Sequence, residues 1–332
     1  MAAMRITRRS ESVVVESPAK VNLFLDVLGR RDDGFHEIST VLCPVSIFDS
    51  LELQLSETEE FALDITIASP PSKSDSSTDI AWDIPTDSRN LVIRALTDIR
   101  QEMGLKAGAK VRLAKRIPAA AGLGGGSGNA AAAIVAYLAI LDAWDREAAT
   151  KVAARLGSDI PFFLGNERNF GLAEACGRGE QVSPLEATPK LDFVLTHPPE
   201  GCSTAAIYGG VNADLLPNPH TRQLRAKLVS ACQHEDVRKI GAGLFNALQS
   251  SAEKHTSWIE TQLRLFDELG LEFRLMSGSG SSCFALIDNS QNNDMLLEQL
   301  RSAAAQQGIE RVFAASAVYS SSIEWQIRQW AS

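Results

Sequence analysis

The chain is short of cysteines that could pair. Its five, Cys43, Cys176, Cys202, Cys232 and Cys283, are scattered, odd in number and never spaced as C-x-x-C. That pattern argues against a disulfide framework or a thiolate zinc site, and it leads us to expect reduced thiols in a cytoplasm. Histidine is equally sparse. None of the five falls in an H-E-x-x-H or related spacing, so no transition metal held by the protein is expected. Positive charge is also in deficit. Lys and Arg number 32 against 41 Asp and Glu, a formal net charge of −9, whereas a general nucleic-acid binder carries a basic face. A local basic pocket for a small anion is still compatible with that balance. Long hydrophobic runs are missing as well. The longest, Ala130 to Leu141, suits a buried helix, being well short of the roughly 20 residues of a membrane span. After the basic MAAMRITRRS, the apolar Val13-Val14-Val15 is too short for a signal-peptide core. Neither a membrane nor a nucleic acid is therefore expected among the partners.

What is present is a globular composition, 45% hydrophobic and 22% charged over 332 residues, enough for two domains and a sizeable core. The opening reads as β, with strands expected at Val13–Glu16, Val21–Leu28, Ile38–Ile47, the cleanly alternating Ser50–Ser56, and Phe61–Ile67. Residues 68–88 are rich in Ser, Pro and Asp and read as a surface loop. A helix is expected over Asn90–Met103, with Ser88 as its cap and Gly104 as its stop, followed by a strand at Lys110–Ala114. A Gly-rich turn then feeds an Ala-rich helix, and a second helix spans Arg146–Leu156. The second half reads as mixed α/β. Strands are expected at 191–196, 271–276, 283–287 and 311–317, and helices at 221–233, 242–252, 257–268 and 291–306, with a domain boundary near residue 171.

Three local patterns stand out. In GLGGGSGNAAAA (122–133) the glycines let the backbone approach a ligand closely, and the helix that follows offers free N–H groups and the positive end of its dipole to a phosphate. It lacks the Lys of a Walker A loop and the strict G-x-G-x-x-G spacing; taken alone, it also fits a plain loop before a core helix. LGSDIPFFL (156–164) puts Asp159 at the rim of an apolar run, either closing a turn or orienting a substrate hydroxyl. MSGSGSSCFAL (276–286) joins two strands through small residues, as a hairpin or as a pocket wall. Lys20, by itself, also fits a solvated lysine at the start of a strand.

In order and spacing these pieces resemble the GHMP kinase superfamily. They are S-P-A-K-x-N (17–22), P-x-x-x-G-L-G-G-G-S (118–127) and the late Gly/Ser loop, over roughly residues 13 to 318. Arg31-Asp32-Asp33-Gly34-Phe35-His36 adds a likeness to members that take a diphosphocytidyl sugar alcohol rather than homoserine or mevalonate. The resemblance implies an α+β, two-domain fold. Its N-terminal part, 1–171, would resemble the second domain of a small-subunit ribosomal protein and carry the ATP phosphate loop. Its C-terminal part, 172–332, would be ferredoxin-like and contribute substrate-side residues, with the active site in the cleft between them.

The resemblance also implies roles. Lys20 and Asp159 would be catalytic. ATP would be held by Pro118, Ala119, Ala120, Ala121, Gly122, Leu123, Gly124, Gly125, Gly126, Ser127 and Gly128, with Asn90 and Lys115 on the adenine side. Mg²⁺ would be carried mainly by ATP, near Ser127. Asn22 and Thr204 would hold the substrate, His36 would bond the cytosine edge, and Phe35 and Tyr208 would stack on the base. Another GHMP small-molecule kinase, or a non-catalytic nucleotide-binding relative, is the alternative. Three departures from the family pattern are visible. Gly128 stands where a second Ser is usual, Ala119-Ala120-Ala121 where glycines are common, and Phe35 where Tyr is usual.

Overall fold

The structure, a computed structural model, describes residues 4–67, 84–211, 219–287, 293–309 and 311–330. Most of the expected surface loop, 68–83, lies outside the described residues. Two long strands dominate the first half. β1 (Arg5–Arg8) pairs antiparallel with β2 (Ser12–Arg30), and a tight turn joins β2 to β3 (His36–Ser56). The four short strands expected here are thus two continuous ones. Register shifts at Pro18/Ala19, Asn22/Phe24 and Val27/Gly29 explain the difference: each bulge bends the ribbon without ending the ladder, and the first absorbs Pro18. The bend also brings Lys20 and Asn22 to the inside of the molecule, where both are buried.

β4 (Phe61–Ile67) runs parallel to β5 (Gly108–Lys115), with α1 (Leu91–Glu102) between them in sequence. Asn90, and not Ser88, caps α1: its Oδ1 accepts the Val92 N–H at 2.9 Å. α2 (Gly125–Ile140) is buried almost all round, its alanines from 130 to 133 fully so. Side chains this small let the helix lie close against the sheet. α3 (Arg146–Leu156), capped by Asp145, leads through Gly157 to the short α4 (Ile160–Leu164). β6 (Asn169–Phe170), β7 (Ala173–Gly177) and β8 (Gln181–Pro184) follow, and β7 pairs with β3. The first sheet therefore continues past residue 171.

The second half begins with β9 (Asp192–His197), α5 (Thr204–Gly209), α6 (Pro219–Gln233) and α7 (Val237–Ala242). Then come β10 (Phe245–Asn246), α8 (Gln249–His255), α9 (Trp258–Glu268), β11 (Arg274–Met276) and β12 (Cys283–Ile287). α10 (Asn293–Gln306), β13 (Arg311–Ser316), β14 (Ser320–Ser321) and α11 (Ile323–Arg328) close the chain. The single helix expected over 242–252 is interrupted, because Phe245 and Asn246 leave it to pair with Phe24 and Leu25 of β2. The second sheet is antiparallel in the order β11-β12-β9-β13. With helices after β9 and β12, this is the split βαββαβ of a ferredoxin-like unit. The chain end returns to the first half, where Gln326 bonds Ile6 N–H and Met4 O, and Glu324 takes both Trp144 and Arg146. Among the described residues, no helix is long and apolar enough to cross a membrane.

β9 ends at His197, 6% exposed, with Nδ1 3.0 Å from Ser282 Oγ. Burial, with Arg311 beside it, pushes this imidazole down from 6.5 to about 4. Above pH 6.5 the group is neutral folded or unfolded. Below it the unfolded chain takes up a proton that the folded one refuses, so stability falls as pH drops toward 4. Between pH 7 and pH 5 this group should remove about 2 kcal/mol of unfolding free energy. Chemical denaturation at the two pH values checks it, and His197→Gln should show a pH dependence smaller by that amount. An unchanged dependence in the variant would refute the assignment.

Candidate active site

A cleft of about 440 Å³ opens where the two sheets meet. Its walls are Lys20 and Asn22 of β2, the loop from Pro118 to Gly126, Asp159 ahead of α4, Arg178 of the β7–β8 turn, α5, and the loop Gly278–Gly280. Lys20 is at its floor. The ammonium donates to Asn22 Oδ1 at 2.7 Å and lies 3.4 Å from Asp159 Oδ2. Asn22 Nδ2 in turn donates to Thr40 Oγ1 at 2.8 Å, and Thr40 donates to Phe24 O at 2.6 Å. This relay fixes which way the Asn22 amide points, leaving its oxygen for Lys20. Asp159 begins α4 without capping it, so its carboxylate, 34% exposed, is free to face the cleft.

The Gly-rich loop sits directly on Lys20, whose backbone N–H donates to Leu123 O at 3.0 Å. A Cβ on Gly124 would lie 2.9 Å from Lys20 Cγ, and Gly124 also has φ +70, so this position admits no side chain. Gly124 precedes α2 without any side-chain cap, and the first turn of α2 has no acidic residue. The leading N–H groups of a long helix are thus left for an anion. Over Gly126 there is room: an added Cβ would have Leu91 Cδ1, at 3.8 Å, as its nearest neighbour. These features fit a polyphosphate. On the far side a Cβ on Gly122 would strike Ser277 O at 2.1 Å, and Ser277 Oγ donates to Gly122 O at 3.1 Å. The early and late glycine loops therefore interlock backbone to backbone. Ala120, where glycine is common in the family pattern, takes φ +51, a left-handed conformation unfavourable for alanine.

Not every residue of the expected set lines the cleft. Pro118 to Gly122 and Gly124 to Ser127 do, while the Leu123 side chain is core. Asn90 spends its amide on Pro85 O and its carbonyl oxygen on the α1 cap. Lys115 is buried at the back of the loop, its ammonium 2.5 Å from Asp49 Oδ2, while Asp49 Oδ1 accepts the N–H groups of Arg116 and Ile117. Gly128 faces β2, where a Cβ would stand 2.4 Å from Ser17 Oγ. The hydroxyl missing at 128 would thus point into the sheet contact and not into the cleft. Thr204 Oγ1 is 2.9 Å from Ser279 Oγ. His36 and Phe35 are not among the residues that line the cleft; His36 lies against Tyr208 with ring centroids 5.2 Å apart, and Phe35, half exposed, has the Arg178 guanidinium 5.0 Å over its ring. Burial and nearby Arg30 lower the His36 imidazole from its ordinary value. Burial and Asp159 push the Tyr208 phenol up.

Four contributors escaped sequence reading. Thr40 is legible only once β2 and β3 are in register, and Arg178 only once β7 joins β3. Asn246 donates from Nδ2 to Met276 O and Gly278 O, both at 2.8 Å, and so shapes the late glycine loop. Gln262, fully buried, supports the same loop by donating to Ser281 O at 2.9 Å. Among the described residues there is no group of three His, Cys, Asp or Glu able to hold a metal.

Comparison with known proteins bears on this arrangement. Residues 90–166 match the GHMP kinases N terminal domain and residues 228–306 the GHMP kinases C terminal domain. A Rhodopirellula baltica protein named 4-diphosphocytidyl-2-C-methyl-D-erythritol kinase is 35% identical over 303 residues, covering 86% of this chain and 90% of its own length. One of the same name from Pelotomaculum thermopropionicum is 36% identical over 296 residues, covering 89% and 96%. A crystal structure of 4-(cytidine 5'-diphospho)-2C-methyl-D-erythritol kinase superposes at TM-score 0.68 with 30% identity, over 91% of this chain and 98% of that one. A homoserine kinase from Cytophaga hutchinsonii superposes at TM-score 0.70 with 16% identity, over 95% and 97%, which shows a common fold.

The open space over Gly126 generates a test. Gly126→Ala should leave thermal stability unchanged or slightly raised, since Ala favours a helix over Gly by roughly 0.5–1 kcal/mol. The added methyl should still weaken binding of a nucleoside triphosphate severalfold, read by titration calorimetry. Unchanged affinity would mean that phosphates do not lie over this turn.

Proposed function

The chain belongs to the 4-diphosphocytidyl-2-C-methyl-D-erythritol kinase family of GHMP kinases, and we propose that it phosphorylates the 2-hydroxyl of that sugar alcohol with ATP. The products would be the 2-phosphate and ADP, within non-mevalonate isoprenoid precursor biosynthesis. The observation that carries the chemistry is the Lys20–Asp159 pair, 3.4 Å apart, facing the uncapped start of α2 across one cleft.

Phosphoryl transfer has a loose transition state, so the protein's task is to position groups and offset charge. The first turn of α2 and the Gly-rich loop hold the triphosphate by backbone N–H groups. Asp159 accepts the hydrogen of the attacking hydroxyl and aims its oxygen at the γ-phosphorus. Its orienting role dominates until the proton moves late in the transfer. Lys20, its ammonium 3.4 Å from Asp159 Oδ2, faces the charge that builds on the transferred group. Asn22 holds the ammonium in place and takes its own orientation from Thr40. Mg²⁺ supplies charge neutralisation when bound; the donors present suit an ion carried by the phosphates and water, with Ser127 beside them, better than a protein cage. At the other end His36, Tyr208 and Phe35 are the groups for the cytosine. Stacking there contributes about 1–3 kcal/mol by analogy with other base–aromatic contacts.

An ADP-release assay with ATP and Mg²⁺ tests this reading. Turnover is expected with 4-diphosphocytidyl-2-C-methyl-D-erythritol and not with homoserine or mevalonate. Turnover with either of the latter instead would keep the kinase and remove the cytidyl pocket. Binding of ATP with no turnover on any of the three would favour a non-catalytic relative.

A further inference from the structure

We propose that Arg178 is a specificity-determining residue that binds the diphosphate of the substrate, with its guanidinium held in place by the Phe35 ring. The proposal rests on the cytidyl-substrate reading above and deepens it.

The first argument is charge. Among the described residues lining the cleft, Lys20 and Arg178 are the cations. Lys20 is already engaged by Asn22 and Asp159 at the phosphoryl-transfer end. A diphosphate drawn into a protein of net charge −9 needs a second positive group, and a guanidinium stays charged at any working pH.

The second argument is position. The β7–β8 turn is tied down at both ends of the substrate's path. At one end a Cβ on Gly179 would lie 3.5 Å from Ser158 Cβ and 3.9 Å from Asp159 Oδ1. At the other, the Gly177 N–H donates to Glu37 Oε1 at 3.1 Å, next to His36, and the Arg178 guanidinium carbon stands 5.0 Å over Phe35. Arg178 therefore spans the stretch from the reacting hydroxyl to the base-gripping rings. In a diphosphocytidyl alcohol, that stretch is where the two phosphates lie.

The third argument is preorganisation. Arg178 Nη2 donates to Ala154 O at 3.1 Å, its Nε lies 3.8 Å from Glu180, and its backbone N–H donates to the same carboxylate at 2.7 Å. One N–H of the fork is thus used to fix the guanidinium plane, and Phe35 flanks that plane. A planar fork so placed matches phosphate oxygens in a way an ammonium does not. It also accounts for a large aromatic ring left half exposed beside Arg178.

The test compares CDP with cytidine as ligands of the full chain by titration calorimetry, in wild type, Arg178→Met and Arg178→Lys. Wild type should bind CDP more tightly than cytidine. Arg178→Met should shrink that preference by roughly tenfold to a hundredfold, as expected for a charge-assisted contact. Cytidine affinity and the KM for ATP should change little, and Arg178→Lys should recover part of the preference. An unchanged CDP preference in Arg178→Met would overturn the proposal. So would equal losses for CDP and cytidine, which would mean that Arg178 only shapes the base pocket through Phe35. If Arg178→Met does not fold, Arg178→Lys decides, since a full wild-type preference there would overturn the need for the fork. Wild-type protein binding neither ligand would remove the cytidyl reading and the proposal together, whereas binding of cytidine without any CDP preference removes the proposal alone.

Discussion

A lysine ammonium with 5% of its side chain exposed is the constraint around which the rest is arranged. Left alone, a buried charge of this kind costs several kcal/mol. Here it is answered by Asp159 on the cleft side and by Asn22 on the sheet side, and Asn22 is fixed by a relay that ends on the Phe24 carbonyl. The glycines follow from the same constraint. Gly124 has no room for a Cβ beside Lys20 Cγ, and one on Gly278 would stand 3.2 Å from Lys20 Nζ. The glycine content of two distant loops therefore reflects how closely backbone must pass around one ammonium, besides any closeness to a phosphate.

That arrangement explains why neither half could build the site alone. β2 supplies Lys20 and Asn22, α2 supplies the anion-binding terminus, and the second sheet supplies the loop that closes over Gly122. The second half secures its loop with side chains buried for that purpose. Asn246 bonds two of its carbonyls, and Gln262 bonds a third while accepting from Thr196 and Cys283. Asn246 itself lies on β10, the two-residue strand that leaves the second half to pair with β2. The strand that carries the lysine and the residue that shapes the opposing loop are thus hydrogen-bonded neighbours.

The sequence makes local chemistry legible and long-range geometry less so. The Gly-rich turn, the helix after it, Asp159 before an apolar turn and a mixed α/β second half announce themselves through glycine, helix period and strand alternation, whereas the ferredoxin-like form of that half follows from the family resemblance. The continuity of β2 and β3 does not, because Pro18 and the bulges look like strand ends in one dimension. Ser88 fits an α1 cap in sequence, yet Asn90, two residues later, is the residue that accepts the Val92 N–H. Thr40, Arg178, Asn246 and Gln262 are invisible for a common reason: each acts through a partner at least 16 residues away, on a strand or loop whose pairing no local pattern reveals. Lys115 shows the converse, since its place in the sequence pattern suggested the nucleotide while its ammonium is paired with Asp49 inside the core.

The most direct test of the central claim is the turnover of Asp159→Asn. This change keeps the shape of the side chain, removes the charge that answers Lys20 and leaves the hydroxyl without its acceptor. The account predicts a folded protein that still binds ATP and the cytidyl substrate, with turnover reduced by roughly a hundredfold to a thousandfold. Turnover near that of the wild type would contradict it and would take Asp159 out of the mechanism.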